Sequence, residues 1–242
     1  MTEPTASEQS PPPSQLSQIL LAALEAAAGP QGQLRAAVDA LSGQPPPSPL
    51  QIRLAFARAG RLTGNATVRL DGPLPIDASL AGWTADQLAR LVILFASIEQ
   101  LPTSEQVGLV ETLYRTGSEH EQSVVARALA WLPNAASYAA LAAEATRTNI
   151  VTVFAALACE NPYPATHLED LNFNQMVVKA IFMELDTSRI SSLDTRVTPE
   201  LVRMLTDYGA ERRAAGRVVP RDIERITQTF SQRKSPLPGN NP

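Results

Sequence analysis

Signals that begin a helix recur along this chain, and no other feature restricts its fold as strongly. Capping boxes, in which a Ser or Thr is followed three residues later by Gln or Glu, begin at Ser48, Thr84, Thr103 and Ser118. The two side chains of such a pair satisfy amide groups that the first turn of a helix leaves without partners. Ala and Leu dominate the segments that follow, whereas aromatic residues make up only 5% of the chain. This composition favours helices over strands.

The links between the expected helices are short, and this determines how the helices pack. Residues 84–158 are predicted to hold five helices of about 10–15 residues, one capped by Asn134 and one by Thr148 or Asn149. Helices joined by only a few residues lie antiparallel to each other. We therefore predict an all-α fold of antiparallel helical hairpins, arranged as a HEAT-like α-solenoid or as a compact helical array.

Stretches rich in Pro, Ser, Gln and Asn mark the expected limits of the folded region. Residues 1–13 and 232–242 are predicted to be disordered tails, because they contain few apolar anchors. Between them, residues 14–82 are expected to form N-terminal helices and an irregular linker, and residues 83–231 a helical domain. Within the linker, prolines exclude a helix at 70–75, and the pattern at 66–70 is at most a weak strand.

Apolar residues recur at the spacing of one helix face, and they predict the core. Beyond residue 160, helices are expected at 166–170, 173–184, 198–215 and 220–230. Residues of the apolar stripes should face the interior of the protein. The residues predicted to lie in the core are Phe95, Leu109, Leu113, Val125, Leu129, Val153, Phe154, Leu157, Met176, Ile181 and Leu205.

Charge and cysteine content restrict the partners and the compartment. The chain carries 24 acidic and 20 basic side chains, and its net charge of −4 argues against a nucleic-acid partner. Its first residues lack the basic segment of a signal peptide, and no apolar run is long enough to cross a membrane. Cys159 is the single cysteine, so no disulfide can form within the chain. We predict a cytoplasmic protein with no direct membrane span.

The motifs of the common enzyme classes are absent from the sequence. There is no glycine-rich phosphate loop, no GxSxG and no HExxH. The chain contains two histidines, His120 and His167, so it cannot supply a site built from several histidine ligands. We predict no bound metal, no cofactor and no catalytic residue, and we favour a protein without enzymatic activity.

Two short polar segments form a candidate site for a ligand or partner. The first follows the helix that ends at Cys159, and its two prolines hold Glu160, Asn161 and Tyr163 in fixed directions. The second is an expected helix start, where free amide donors suit an anion or a carbonyl oxygen. Few residues separate the segments, so we predict that they lie side by side. The candidate site residues are Glu160, Asn161, Tyr163, His167, Asn172, Asn174 and Gln175.

A structural role for the same side chains is the alternative. Asn172 or Asn174 could cap a helix, and Glu160 could close the turn or pair with Arg147. Cys159 ends an apolar helix and is expected to be a buried thiol rather than a nucleophile, since no activating base is evident nearby.

Residues 94–222 resemble the EboA family. The most specific part of the resemblance is CENPYP at 159–164 followed by FNQMVVKA at 173–180. The family takes its name from an operon whose other products resemble metabolic enzymes, among them a membrane prenyltransferase, a sugar-phosphate cyclase and a metal-dependent hydrolase. The resemblance implies a role in making or moving a secondary metabolite, and it supplies no catalytic residues.

Two functional hypotheses follow. The first is a non-catalytic helical binding or scaffold protein that serves the metabolite pathway and contacts other products of the operon, including the membrane prenyltransferase. The second is an enzyme or small-molecule carrier with a polar pocket around Glu160, Asn161, Tyr163 and Asn174. A deep pocket lined by those residues favours the second hypothesis, whereas a flat surface with an exposed apolar patch favours the first.

Overall fold

Helices account for the regular structure of the protein, as its sequence predicts. The structure, a computed structural model, describes residues 11–70, 80 and 82–234. Within these residues, extended pairing is limited to one bridge between Thr67 and Thr84, so the predicted all-α class is confirmed. The weak strand expected at 66–70 is reduced to that bridge. Residues 1–10 and 235–242 of the predicted tails, and most of the proline-rich part of the linker, lie outside the described residues.

The α-helices are numbered in chain order. They are α1 Pro13–Ala28, α2 Gly32–Ser42, α3 Pro49–Thr63, α4 Ala85–Ile98, α5 Thr103–Thr116, α6 Glu119–Ala128, α7 Ala139–Ala145, α8 Val151–Ala158, α9 Tyr163–His167, α10 Asp170–Phe182, α11 Leu193–Arg196, α12 Pro199–Ala214 and α13 Arg221–Lys234. Short 3-10 helices occur at Leu129–Trp131, Ala135–Tyr138 and Thr187–Arg189.

Helix α4 lies at the centre of the N-terminal half. Its sequence is mostly apolar, and every residue from Leu88 to Ile98 is buried. A helix of this kind must be covered by other elements all round, and α1, α2, α3 and α6 pack against it. The hydroxyl of Ser17 on α1 donates a hydrogen bond of 2.9 Å to the carbonyl of Val92. The core is therefore continuous across residue 83, where the helical domain was expected to begin.

The predicted core is confirmed residue by residue. Each of the eleven apolar residues that the stripes placed inside is buried, and none exposes more than 5% of its surface. Phe154 on α8 and Phe95 on α4 are among the largest side chains that are fully buried.

Most of the predicted helix starts are confirmed, and their capping boxes are formed. The backbone N–H groups of Ser48, Thr84 and Ser118 donate to the returning Gln or Glu side chain at 2.8, 3.1 and 2.7 Å. The cap predicted at Thr103 is wrong, because α5 already includes Thr103 and Pro102 occupies the capping position. The carbonyl of Pro102 accepts hydrogen bonds from the N–H groups of Glu105 and Gln106 at 2.8 and 3.3 Å, so the first turn closes one residue earlier than predicted.

Two helices between α6 and α9 are shorter than predicted. Asn134 adopts a left-handed conformation with φ of 53° and makes no capping hydrogen bond, so its predicted role is wrong. Asparagine tolerates this conformation better than most residues, and here it begins a 3-10 turn instead of a helix. Helix α7 then spans only Ala139–Ala145. Helix α8 begins at Val151, while the Thr148 hydroxyl accepts a hydrogen bond from the N–H of Ile150 at 3.2 Å.

The helices around the candidate site also start earlier than predicted. The short helix expected at 166–170 is α9, Tyr163–His167, because Pro164 suits the first turn of a helix. Helix α10 begins at Asp170, so Asn172 and Asn174 lie inside it and do not cap it. At the C-terminus, α13 continues to Lys234, beyond the predicted end at residue 230.

Candidate functional site

Asn161 holds the turn after α8 through hydrogen bonds inside the protein. It is only 1% exposed, and its Nδ2 donates to the carbonyl oxygens of Ala126 and Ala156, both at 3.1 Å. Its Oδ1 accepts from the backbone N–H of Tyr163 at 3.0 Å. The Tyr163 hydroxyl in turn donates to the carbonyl of Ala135 at 2.7 Å. The polar groups of both side chains therefore connect the turn to α6, to α8 and to the 3-10 helix Ala135–Tyr138.

Glu160 joins this turn to the segment that follows α10. Its φ of 45° lies in the left-handed region, and its backbone N–H donates to the carbonyl of Arg189 at 2.7 Å. Its carboxylate accepts two further hydrogen bonds from the Arg189 guanidinium, at 2.7 and 3.0 Å. These bonds lower the pKa of Glu160 and raise that of Arg189. The pairing considered for Glu160 with Arg147 is wrong.

A buried arginine lies beneath the same turn. Arg127 is 6% exposed, and its Nη1 donates to the carbonyls of Cys159 and Glu160 at 2.6 and 2.9 Å. Its guanidinium lies 5.9 Å from the ring centroid of Trp83. Among the described residues, no carboxylate lies within ion-pair distance of it, and burial lowers its pKa. Burial also raises the pKa of the Cys159 thiol, which disfavours the thiolate that a nucleophile requires.

A cavity of about 430 Å³ opens beside Glu160. Its wall is rich in hydroxyl groups and contains two guanidinium groups and two carboxylates. Such a wall can donate to and accept from a polar, hydroxylated molecule. The lining residues are Glu160, Thr187, Ser188, Arg189, Ile190, Ser191, Ser192, Leu193, Asp194, Thr195 and Arg225.

Asn174 and His167 face other parts of the structure. Asn174 is 1% exposed, and its Nδ2 donates to the Thr198 hydroxyl at 3.0 Å. The same hydroxyl accepts from the N–H of Leu201 at 3.1 Å and caps α12, while Oδ1 of Asn174 has no partner among the described residues. The His167 ring lies 4.6 Å from the Tyr163 ring, and burial lowers its pKa. Asn174 thus links α10 to the start of α12, whereas His167 packs on Tyr163 within α9.

Arg196 on α11, which the sequence did not single out, fastens α9 to α10. Its guanidinium donates to the carbonyls of Ala165 and Leu168 and to the carboxylate of Asp170. It also lies 4.6 Å from the ring centroid of Phe173. No described hydrogen bond joins residues 160–164 directly to residues 172–175. Arg196 thus links the end of α9 to the start of α10, and the side-by-side placement of the two polar segments stays a prediction.

Helix α10 presents to solvent a stripe that holds two large exposed apolar side chains and, between them, a valine that also packs against the core. Leu171 is 59% exposed and Phe182 is 69% exposed, and half-buried Val178 lies between them. With Gln175, these residues occur at intervals of four, three and four, which places them on one face of the helix. Of the predicted site residues, Gln175 is exposed in this stripe and half-buried Asn172 borders it.

A comparison with known protein families finds one that matches this chain. A family model described as "Metabolite traffic protein EboA" matches residues 74–228, which is most of the chain. The chain belongs to the EboA family. No curated protein matches it, and no solved structure does. The resemblance seen in residues 94–222 is confirmed, and the match includes every candidate site residue as well as α4 through α12.

Two properties of the described part of this EboA protein bear on membranes and metals. None of its helices is long and apolar enough to cross a membrane. Within the same residues, no group of three or more His, Cys, Asp and Glu side chains is arranged to hold a metal ion.

Sequence reasoning missed several residues around the site of this EboA protein. Arg189 and Arg196 lie 29 and 26 residues from the carboxylates they bind, and no local pattern connects such distant positions. The exposed stripe did leave a signal. Helix α10 carries apolar residues at the helical interval on two faces, and one helix needs only one such face to join a core.

Proposed function

We propose that this EboA-family chain serves metabolite traffic as a non-catalytic binding or scaffold protein that docks a partner protein on the exposed stripe of α10. The observation that carries the proposal is the stripe itself, where Leu171 and Phe182 each expose more than half of their surface. Large apolar side chains grouped on one exposed face mark interaction surfaces more often than isolated ones do. Burying them against a partner would release water from both surfaces.

The surroundings of the stripe favour a protein as the occupant. Glu169 and Asp170 precede it, and Lys179 borders it, so charges of both signs lie near the apolar residues. Gln175 offers an amide donor and acceptor at the centre of the stripe. A rim of mixed polarity around an apolar centre is the usual composition of a protein–protein interface. We propose that the partner is another product of the operon implied by the resemblance, and a membrane prenyltransferase is one candidate.

Burial of the candidate side chains supports a role without catalysis. The hydrogen-bonding groups of Asn161 and Tyr163 are occupied by backbone groups, and the Cys159 thiol has a raised pKa. Burial lowers the pKa of His167, and its ring packs on Tyr163. A cytoplasmic location is part of the same proposal, and fractionation of cells producing a tagged chain tests it.

A second candidate function is that of a small-molecule carrier. The observation that favours it is the cavity beside Glu160, whose hydroxyl groups and ion-paired Arg189 suit a polar metabolite. The pocket expected around Glu160, Asn161, Tyr163 and Asn174 is thereby revised. Glu160 lines this cavity, whereas the other three side chains are buried and do not.

The docking proposal is tested by co-purification. A tagged chain is produced together with the other operon products, and proteins retained on the affinity resin are identified by mass spectrometry. We expect the double variant Leu171→Ser with Phe182→Ser to lose its partner while keeping its thermal stability. The matched control is Val151→Ser, which changes an apolar side chain that is 48% exposed on α8. A double variant that retains every partner of the wild type contradicts the proposal.

The carrier alternative is tested on the same preparations by native mass spectrometry. Arg189→Gln should release a bound small molecule if the cavity beside Glu160 holds it. The control is Arg203→Gln, because Arg203 forms a similar bidentate pair with Glu200 on the surface of α12. A wild-type protein that carries no small molecule, even when the pathway is active, excludes this alternative.

A further inference from the structure

The exposed face of α3 combines arginine and leucine without any acidic residue. Leu50 and Leu54 are 60% and 46% exposed, and they lie one turn apart at the start of this face. Arg53, Arg58 and Arg61 are exposed as well. At 100° per residue, Arg61 falls on the line of the leucines, while Arg53 and Arg58 flank that line on opposite sides. The opposite face of α3 is buried against α4.

The three arginines of this face have no acidic partner in the described part of the chain. By contrast, Arg35 on the neighbouring α2 pairs with Glu25, and Arg90 on α4 pairs with Asp86. Helix α3 therefore contributes three positive charges that pair with no acidic side chain among the described residues, in a protein whose net charge is −4. A local field of this sign attracts anions to one face while the rest of the molecule repels them.

We propose that the exposed face of α3 docks on an anionic lipid membrane surface, with the helix axis in the plane of the membrane. Guanidinium groups bind phosphate in bidentate geometry, so the arginines suit lipid phosphates. The leucines between them can enter the boundary between headgroups and acyl chains, as the apolar residues of interfacial helices do. This surface is independent of the α10 stripe, where acidic residues at the helix start oppose a negatively charged membrane.

Charge complementarity distinguishes this occupant from a protein partner. The face offers three cations and two aliphatic groups, and the amide oxygen of Gln51 and the hydroxyl of Ser48 at its start bond to each other in the capping box. Phosphate headgroups form a continuous negative layer, and all three arginines can engage it at once. Each arginine that reaches such a layer adds a similar increment of affinity, so three together have a large combined effect.

Vesicle flotation with the full chain tests the proposal. We expect the protein to float with vesicles of phosphatidylcholine and phosphatidylglycerol, but not with vesicles of phosphatidylcholine alone. Binding should weaken as salt increases, because salt screens the attraction. The triple variant Arg53→Gln, Arg58→Gln and Arg61→Gln should lose about a hundredfold in affinity. Leu50→Ser with Leu54→Ser should keep the preference for phosphatidylglycerol but bind more weakly.

A second triple variant controls for net charge. Arg203→Gln, Arg213→Gln and Arg217→Gln removes three exposed arginines from α12 and the loop after it, and it changes the total charge equally. This control should bind like the wild type. The circular dichroism spectra of both triple variants should match the wild-type spectrum. Failure of the wild type to float with phosphatidylglycerol, or an equal loss in the control, overturns the proposal. Binding of polyglutamate by the α3 face without binding to vesicles also overturns it, in favour of an acidic protein.

Discussion

Asp86 and Arg90, one turn apart on α4, form an ion pair whose side chains expose only 6% and 9% of their surface. Burial by itself raises the pKa of Asp86, but hydrogen bonds from Thr84 and Arg90 and the proximity of His120 outweigh it and lower the pKa. Because α4 is enclosed by other helices, these neighbours take the place of water around the carboxylate. Removing one member of the pair should consequently destabilise the protein more than replacing both members with apolar residues.

Removing the cation alone should be strongly destabilising. We expect Arg90→Met to lower the free energy of unfolding by about 3–5 kcal/mol, since it leaves the Asp86 carboxylate buried without its cation. Urea denaturation at neutral pH measures the effect. The control is the double variant Asp86→Leu with Arg90→Met, which should recover most of the loss. A single variant as stable as the wild type would mean that water reaches the carboxylate.

The pH dependence of the same pair has a definite sign. The folded-state pKa of Asp86 is lowered, so its contribution to stability is present above the unfolded pKa and is lost as the pH falls through the folded pKa. In Arg90→Met the carboxyl group is more readily protonated. The stability difference between the wild type and this variant should therefore narrow in acid, as measured by urea denaturation across the acidic range.

Substitution by alanine should lower stability strongly at one phenylalanine and hardly at all at another. Phe154 on α8 is fully buried, so Phe154→Ala should cost about 3–5 kcal/mol of stability through lost burial and the cavity left behind. Phe182 on α10 is 69% exposed, so Phe182→Ala should change stability by less than about 0.5 kcal/mol. Urea denaturation midpoints compare the two. A large loss in Phe182→Ala would show that this side chain packs against the protein and is not available to a partner.

The exposed ion pair at the candidate site should matter little to stability. Glu160→Gln removes a carboxylate that Arg189 binds at 2.7 Å, but both side chains are more than 30% exposed, at 33% and 42%. We expect a loss of no more than about 1 kcal/mol at neutral pH. The Glu160 pKa is lowered in the folded state, so this difference should vanish as the pH falls through that pKa. Arg203→Gln serves as the control for loss of an exposed pair.

Local sequence signals predicted the helices correctly where residues close together in the sequence determine the structure. The boxes at Ser48, Thr84 and Ser118 form because their partners lie three residues away. The apolar periodicity of α4, α8 and α12 likewise requires no knowledge of distant residues. These features account for the correct fold class and the correct core.

The site was harder to predict, because distant residues decide the environment of each polar side chain. Sequence alone could not show that Asn161 bonds to Ala126, which is 35 residues away, and so is buried. Nor could it show that α10 begins at Asp170, which moves Asn174 into the helix and against Thr198. Asn161 and Tyr163 lie inward in this turn, where their side chains bond to backbone groups.

Three substitutions separate architecture from binding at this turn. Asn161→Ala leaves two carbonyl groups and one N–H group without their partner, so it should cost about 3 kcal/mol. Tyr163→Phe removes one hydrogen bond and should cost about 1 kcal/mol. The loss of stability in Asn174→Ala should lie between these two values. This substitution leaves the Thr198 hydroxyl without its donor, but it also removes an oxygen that has no described partner. The thermal unfolding temperatures of the three variants test this order of stability.

Measuring the output of the metabolite pathway in cells then decides what these residues do. If they are architectural, output should fall in the same order as stability and should recover at lower growth temperature, where more of each variant stays folded. Gln33→Ala is the matched control, because it removes an exposed amide from α2, outside both proposed docking surfaces, without affecting the core. Loss of output in Asn161→Ala, with an unfolding temperature equal to that of the wild type, would contradict the architectural role. It would support a binding role for this side chain.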